Sequence, residues 1–196
     1  MTAPFKPKQA LDFDGALLQE LQGDVSDTIA QQVLEELPPL TATSVVHDNG
    51  CGPGAVTMAM MRNNPPADNL TDNPSWPFKV ETMDACNLTF PDNTFDYSFT
   101  NFVFAGLSDD GGAASHILRT LKPVGTGVIT GAEMPWQIAL KNAHYKTRGT
   151  EEPMAHFLSK SCYQKEEIER ATRAAGWKDV KYVQKEAYLI LGTDLG

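Results

Sequence analysis

What this 196-residue chain has little of narrows its chemistry first. It has only three cysteines, Cys51, Cys86 and Cys162, far apart and in no CxxC pair. That excludes a disulfide framework and a zinc ribbon, and leaves free thiols in a reducing, cytoplasmic setting as the expectation. No His/Cys/Asp group has ligand spacing, so no metal is expected. Bases are scarce where they would matter for nucleic acid: residues 1–98 hold four against fourteen acids, and residues 99–196 hold twelve against eleven. An acidic chain of pI about 4.8 repels phosphate backbones and anionic bilayers, so neither nucleic acid nor membrane is an expected partner. The longest apolar runs, such as FVFAGL, fall far short of a membrane span, and MTAPFKPKQALDF lacks the apolar stretch of a leader.

The bulk numbers describe one ordinary domain over 1–196, with 41% hydrophobic and 21% charged residues and no repeat or linker. Residues 1–40 read as a helical prelude: ALLQELQ, then SDTIAQQVLEELPP with Ile29, Val33, Leu34 and Leu37 at helical spacing. Ser26 is its expected N-cap and Pro38-Pro39 its stop. SVVHD reads as a strand, AVTMAMMR as a helix and FKVETM as a second strand. A turn at Pro91-Asp92-Asn93 leads into a strand around Phe95–Thr100. SDDGGAASHILRTL is a helix with acids in its first turn, and GVITG is another strand. The passage 133–162 predicts a short helix and a long covering loop. KEEIERATRAAGW is a helix closed by Gly176, and VKYVQKEAYLILG predicts two strands. Strands alternating with helices make an α/β, mostly parallel sheet with helices on both faces, and the last two strands make an antiparallel C-terminal edge.

The segment HDNGCGPG stands between a strand and a helix. Alternate glycines there let the backbone approach a ligand, and free amides at the helix start face it. A dinucleotide fingerprint fits poorly. It needs an acid closing a second strand roughly 20 residues on, and Asp68 and Asp72 lie in Pro/Asn-rich sequence with no strand pattern.

HDNGCGPG resembles the (D/E)-x-G-x-G-x-G motif of class I S-adenosylmethionine-dependent methyltransferases. MDACNLTFPDNTFDYSFTNFVF resembles that family's D-A-x-x-L-x-F-x-D-x-S/T-F-D stretch, and LRTLKP with GTGVI resembles its L-K-P-G-G segment. The resemblance implies a Rossmann-like fold whose cofactor half is residues 41–132, followed by a cover over 133–162 and a C-terminal helix and strands over 163–196. It implies that Asp48 and the Gly50, Gly52 and Gly54 backbone face the methionine part of S-adenosylmethionine, with Asp84 and Ala85 at the adenine. His47 reads as a packed residue, and Val124, where the family has glycine, as a strained turn residue.

One unit of the family pattern is missing. The family's second strand ends in an acid that grips the ribose, yet NNPPADNLTDNPSW reads as loop. FKVETMD is therefore expected beside SVVHD, with Asp84 as substitute acid. Without a substitute, losing a charged hydrogen bond of about 1.5–3 kcal/mol weakens binding roughly 10- to 100-fold, up to complete loss.

Methyl transfer needs nucleophile, methyl and sulfur in line, and a base only where the acceptor must lose a proton. Acceptor-facing groups belong at strand carboxyl ends. That selects Asn101 and Glu133 as catalytic candidates with His144 as the base, and Phe104, Trp136 and Tyr145 as substrate contacts, with a place in the core as the other reading of Phe102 and Phe104. The leading expectation is methyl transfer to a small molecule, in secondary metabolism by overall likeness. The alternatives are a non-methylating enzyme of cyclase or isomerase type and a silent partner in a homodimer or heterodimer.

Overall fold

The computed structural model describes residues 23–41, 43–63, 79–155, 158 and 164–188. Five α-helices and three strands are formed among them, in an α/β arrangement of Rossmann-like kind. Helix α1 is Val25–Glu35, strand β1 is Val46–Asp48 and helix α2 is Ala55–Asn63. They are followed by β2, Phe95–Asn101, α3, Asp110–Thr120, and β3, Leu121–Thr130. Helices α4, Pro135–Arg148, and α5, Lys165–Ala174, complete the set. The sheet order is β1-β2-β3, parallel throughout.

Strand alternation divides the core into two layers. Val46, Tyr97, Phe99 and Val128 meet α1 and α2 through Ala30, Val33, Val56 and Ala59. On the other face Phe95, Phe104, Leu121 and Ile129 meet Ala114, Ile117 and Ala171 of α3 and α5. Phe95 joins that face although Tyr97 and Phe99 point the other way, at the place where the β2–β3 register is irregular. A third cluster, Val25, Ile29 and Met134 with Phe102 and Trp136, caps the carboxyl end of the sheet.

Several local expectations hold for stated reasons. Asn93 has φ 54 in the expected turn, a conformation its short amide tolerates. Gly176, at φ 96, closes α5: its amide bonds Arg173 O and the Trp177 amide bonds Thr172 O, the 5→2 and 6→1 pair of a Schellman end. The glycines opening α3 have a use as well. Asp109, not Ser108, is the N-cap, its Oδ1 accepting from the Gly112 amide at 2.8 Å, and a Cβ on Gly112 would collide with that carboxylate.

Other expectations are corrected. Residues 79–84 form no strand, and β1 pairs instead with β2, so Asp84 does not end a strand beside the glycine bend. Nothing apolar drives pairing there: Lys79, Val80, Glu81 and Thr82 are all exposed. The predicted antiparallel edge is also missing over 177–188, which runs along α1 instead. Lys185 bonds Glu36 at 2.5 Å, Gln32 bonds Glu186 O at 3.0 Å, and Ala187 packs on Val25 and Ile29. The long cover loop is mostly helix: α4 fills 14 residues, starting at Pro135, where a missing amide costs nothing. Helix α1 begins before Ser26 and has no side-chain cap. The ALLQELQ helix, the shortened passage 64–78 and the end of the last strand lie outside the described residues.

Candidate functional site

The bend after β1 is built from left-handed residues. Gly50, Gly52 and Gly54 have φ of 71, 52 and 92, which L side chains enter only at a cost of roughly 1–2 kcal/mol each. The Asn49 amide bonds Phe99 O at 2.8 Å and Gly54 N bonds Cys51 O at 2.8 Å. Among the described residues the amides of Gly50 and Gly52 make no hydrogen bond. Among the described residues a Cβ on Gly54 would meet nothing within 4 Å, and one on Gly52 only the Gly50 carbonyl at 4.0 Å. On that side the bend is open backbone.

Asp48 holds this bend to its helix. Its Oδ2 accepts from Thr57 Oγ1 at 2.7 Å and from the Thr57 amide at 3.2 Å, satisfying one of the orphan donors at the start of α2. Burial pushes the Asp48 carboxyl up, and the two Thr57 bonds pull it back. Beneath the bend, His47 Nδ1 lies 3.1 Å from Ser98 Oγ and its ring stacks on Phe95 at 4.7 Å. Burial lowers its pKa to about 4, so it is neutral packing. Burial and then the Asp48 charge push the Cys51 thiol up, which disfavours its thiolate.

Asp84 and Ala85 sit in a turn. Asp84 Oδ1 accepts from the Cys86 amide at 2.9 Å, and Asp84 O accepts from Asn87 N. Cys86 Sγ is 3.2 Å from Asp109 O, which fixes this turn against the start of α3. The second carboxylate oxygen, Oδ2, makes no bond among the described residues. The local cap and a ligand contact are thus compatible, one oxygen for each.

At the carboxyl end of β2 the side chains are committed. Asn101 Nδ2 donates to Ser26 O at 3.3 Å and its Oδ1 accepts from Thr130 Oγ1 at 2.6 Å. Phe102, at φ 58, gives its amide to the same Thr130 oxygen at 3.0 Å. Phe104, expected to touch substrate, is corrected: it is 1% exposed inside the α3–α5 core and has no face to offer. A cavity of about 10 Å³, the size of one water, lies beneath α1 between Phe99, Asn101 and Thr130.

The remaining candidates lie on or beside α4. Glu133 Oε1 is ion-paired to Lys141 at 2.6 Å. Trp136 packs beside Phe102. His144 is on the helix rather than a loop, with Nε2 3.1 Å from Glu152 O. A carbonyl only accepts, so Nε2 is the donor in this contact. Tyr145 is exposed and its ring meets His144 edge-on at 6.0 Å. No group of three His, Cys, Asp or Glu among the described residues could hold a metal, and none of their helices is long and apolar enough to cross a membrane.

Thr57, Thr130 and Val103 were not singled out by sequence reasoning. Thr57 and Thr130 act through partners nine and about thirty residues away, and no local pattern reports such contacts. Val103 had one signal, its place between two phenylalanines.

The bend fits the amino-acid end of S-adenosylmethionine on two counts, its left-handed glycines and its unbonded amides. Residues 47–129 match a protein family described as a methyltransferase domain. No curated protein matches the chain. The matched stretch runs from β1 through almost all of β3, and it belongs to the class I S-adenosylmethionine-dependent methyltransferases.

Proposed function

We propose that this chain, a class I methyltransferase domain over residues 47–129, transfers a methyl group from S-adenosylmethionine to a small-molecule acceptor of the natural-product kind. The carrying observation is the bend Asn49–Gly54, with three left-handed glycines and two unbonded amides at the carboxyl end of β1. When bound, the cofactor supplies an electrophilic methyl on a sulfonium. The chain's part is holding and orienting. Asp48 keeps the bend on the start of α2, the Gly50 and Gly52 amides receive the amino-acid end, and Asp84 Oδ2 with Ala85 serves the nucleoside. His144 Nδ1 takes the acceptor's proton where one must leave, while Trp136 and Tyr145 provide acceptor contact. The acidic charge suits an uncharged or cationic acceptor.

Calorimetric titration with S-adenosylmethionine and S-adenosylhomocysteine tests this. Binding is expected to be roughly 10- to 100-fold weaker than with a strand-end ribose acid. The absence of heat and of thermal stabilisation at high ligand would end the reading. One observation favours a second reading: Val103 packs directly over Gly50. On that reading the domain keeps the fold without methylating, as a cyclase- or isomerase-type enzyme or a silent dimerisation partner. A small molecule that stabilises the protein without cofactor supports it.

A further inference from the structure

The three bend glycines are not equivalent. Among the described residues a Cβ on Gly52 or Gly54 has no neighbour closer than 4.0 Å, whereas one on Gly50 would lie 2.7 Å from Val103 Cγ2 and 3.1 Å from Cγ1. The isopropyl group therefore occupies the volume above the first bend residue, on a side chain from the neighbouring strand's end. It is also pinned there. Its predecessor, Phe102, packs into the Val25–Ile29–Met134 cluster and gives its amide to Thr130 Oγ1 at 3.0 Å. Its successor, Phe104, is buried in the opposite layer among Leu88, Ile117 and Ala171. With a phenylalanine anchored in a different core on each side, the backbone at Val103 has little freedom to swing out. Val103 O also closes the following turn, accepting from Gly106 N at 2.9 Å. A side chain held by both chain neighbours behaves as a fixed wall rather than as a movable flap.

We propose that Val103 is the residue that sets the depth of the cofactor cradle, a steric wall over Gly50 that limits how closely a bound amino-acid group approaches the first bend amide. This rests on the methyltransferase reading of the bend. It makes a prediction that a purely packing role does not. Truncating a packed valine lowers stability, and a structural residue would weaken binding along with it. A wall, once shortened, gives tighter binding on a less stable protein.

The experiment is calorimetric titration of S-adenosylhomocysteine into the full chain and its Val103→Ala and Val103→Leu variants, with thermal melting of each as a check on folding. Val103→Ala is expected to melt lower and bind roughly tenfold tighter, because a ligand group that then reaches the Gly50 amide gains a charged hydrogen bond worth at least that factor. Val103→Leu, which extends the wall, is expected to bind at least about tenfold more weakly. Unchanged or weaker affinity in a folded Val103→Ala protein overturns the wall and leaves the methyltransferase reading standing, since the parent still binds. If Val103→Ala fails to fold, undiminished affinity in Val103→Leu overturns it instead. No binding by the parent and by every folded variant overturns both readings. Binding gained only in Val103→Ala supports both.

Discussion

Two turns leave the carboxyl ends of adjacent strands, and they reach the left-handed region by opposite means. After β1 the residues that enter it are Gly50, Gly52 and Gly54, which have no Cβ to oppose it. After β2 the residue that enters it is Phe102, a bulky aromatic at φ 58. The first bend is permitted by its own residues. The second is imposed by its surroundings: Thr130 takes the Phe102 amide, and Phe102 and Phe104 are drawn into separate cores. Backbone shape written in glycine is local information, whereas shape imposed by packing is distributed over distant elements.

Breaking the imposed turn should cost more than breaking the permitted one. Phe104→Ala empties a fully buried ring site and is expected to destabilise by about 3–5 kcal/mol, read from urea unfolding. Gly50→Ala adds a Cβ at positive φ and against Val103, so about 2–4 kcal/mol is expected. Gly52→Ala adds the same Cβ where no described residue comes closer than 4.0 Å, and only the dihedral cost of roughly 1–2 kcal/mol is expected. Equal losses at the two glycines would show that Val103 yields and that the contact over Gly50 is soft.

Thr130→Val removes the oxygen that joins the two strand ends. The Phe102 amide and the Asn101 carbonyl oxygen lose a partner together, and a loss of about 1–3 kcal/mol is expected. The change should also free Asn101, seen as faster amide exchange at Asn101–Val103 with the bend after β1 unaffected. Exchange unchanged at Phe102 would mean that packing alone holds its strained backbone.

His47 supplies a pH handle on the β1 side. Its folded pKa is lowered from 6.5 to about 4 by burial, so the unfolded chain binds the proton first as pH falls. Stability from this group is complete above pH 6.5 and is lost as pH drops towards 4, with no further loss below. The ring is only partly enclosed, so solvent screening reduces the effect to on the order of 1–2 kcal/mol. His47→Asn should flatten that part of the stability profile, and a profile identical to the parent's would assign the step to other groups.

The same contrast explains what could be read from the chain. The glycine bend, the Asn93 turn, the Gly176 helix end and the helix-period face of Ile29 and Val33 are local patterns, and each is found in place. The strands predicted for FKVETM and VKYVQKEAY did not form in the described residues. β-branched residues raise strand propensity, but a strand also needs a face to bury, and the described residues of both segments are mostly exposed. Placing Phe104 at the substrate failed for a related reason. Strand-end position identifies which residues lie near a site, whereas the left-handed turn at Phe102 and the cluster holding Ile117 and Ala171 decide where Phe104 goes.

Val124 gives the smallest and most isolated test of imposed against permitted backbone. It lies in the wide bulge of β3, where five steps from Leu121 to Thr126 oppose two steps from Phe95 to Tyr97. Its φ is 62, and unlike Phe102 it is fully exposed, so no packing offsets the strain. A β-branched residue there costs roughly 1–2 kcal/mol, and glycine regains it at a cost of about 0.5–1 kcal/mol in unfolded-state entropy. Val124→Gly should therefore stabilise by about 0.5–1 kcal/mol, seen as a higher urea midpoint at unchanged slope. Gly125 cannot share the change, because a Cβ there would lie 2.9 Å from Lys122 O. Val124→Ala, which keeps the Cβ and loses only the branch, should fall between the two. A lower midpoint for Val124→Gly would mean that the bulge draws support from valine itself, and that the turn after β3's first residues belongs with Phe102 rather than with the glycines.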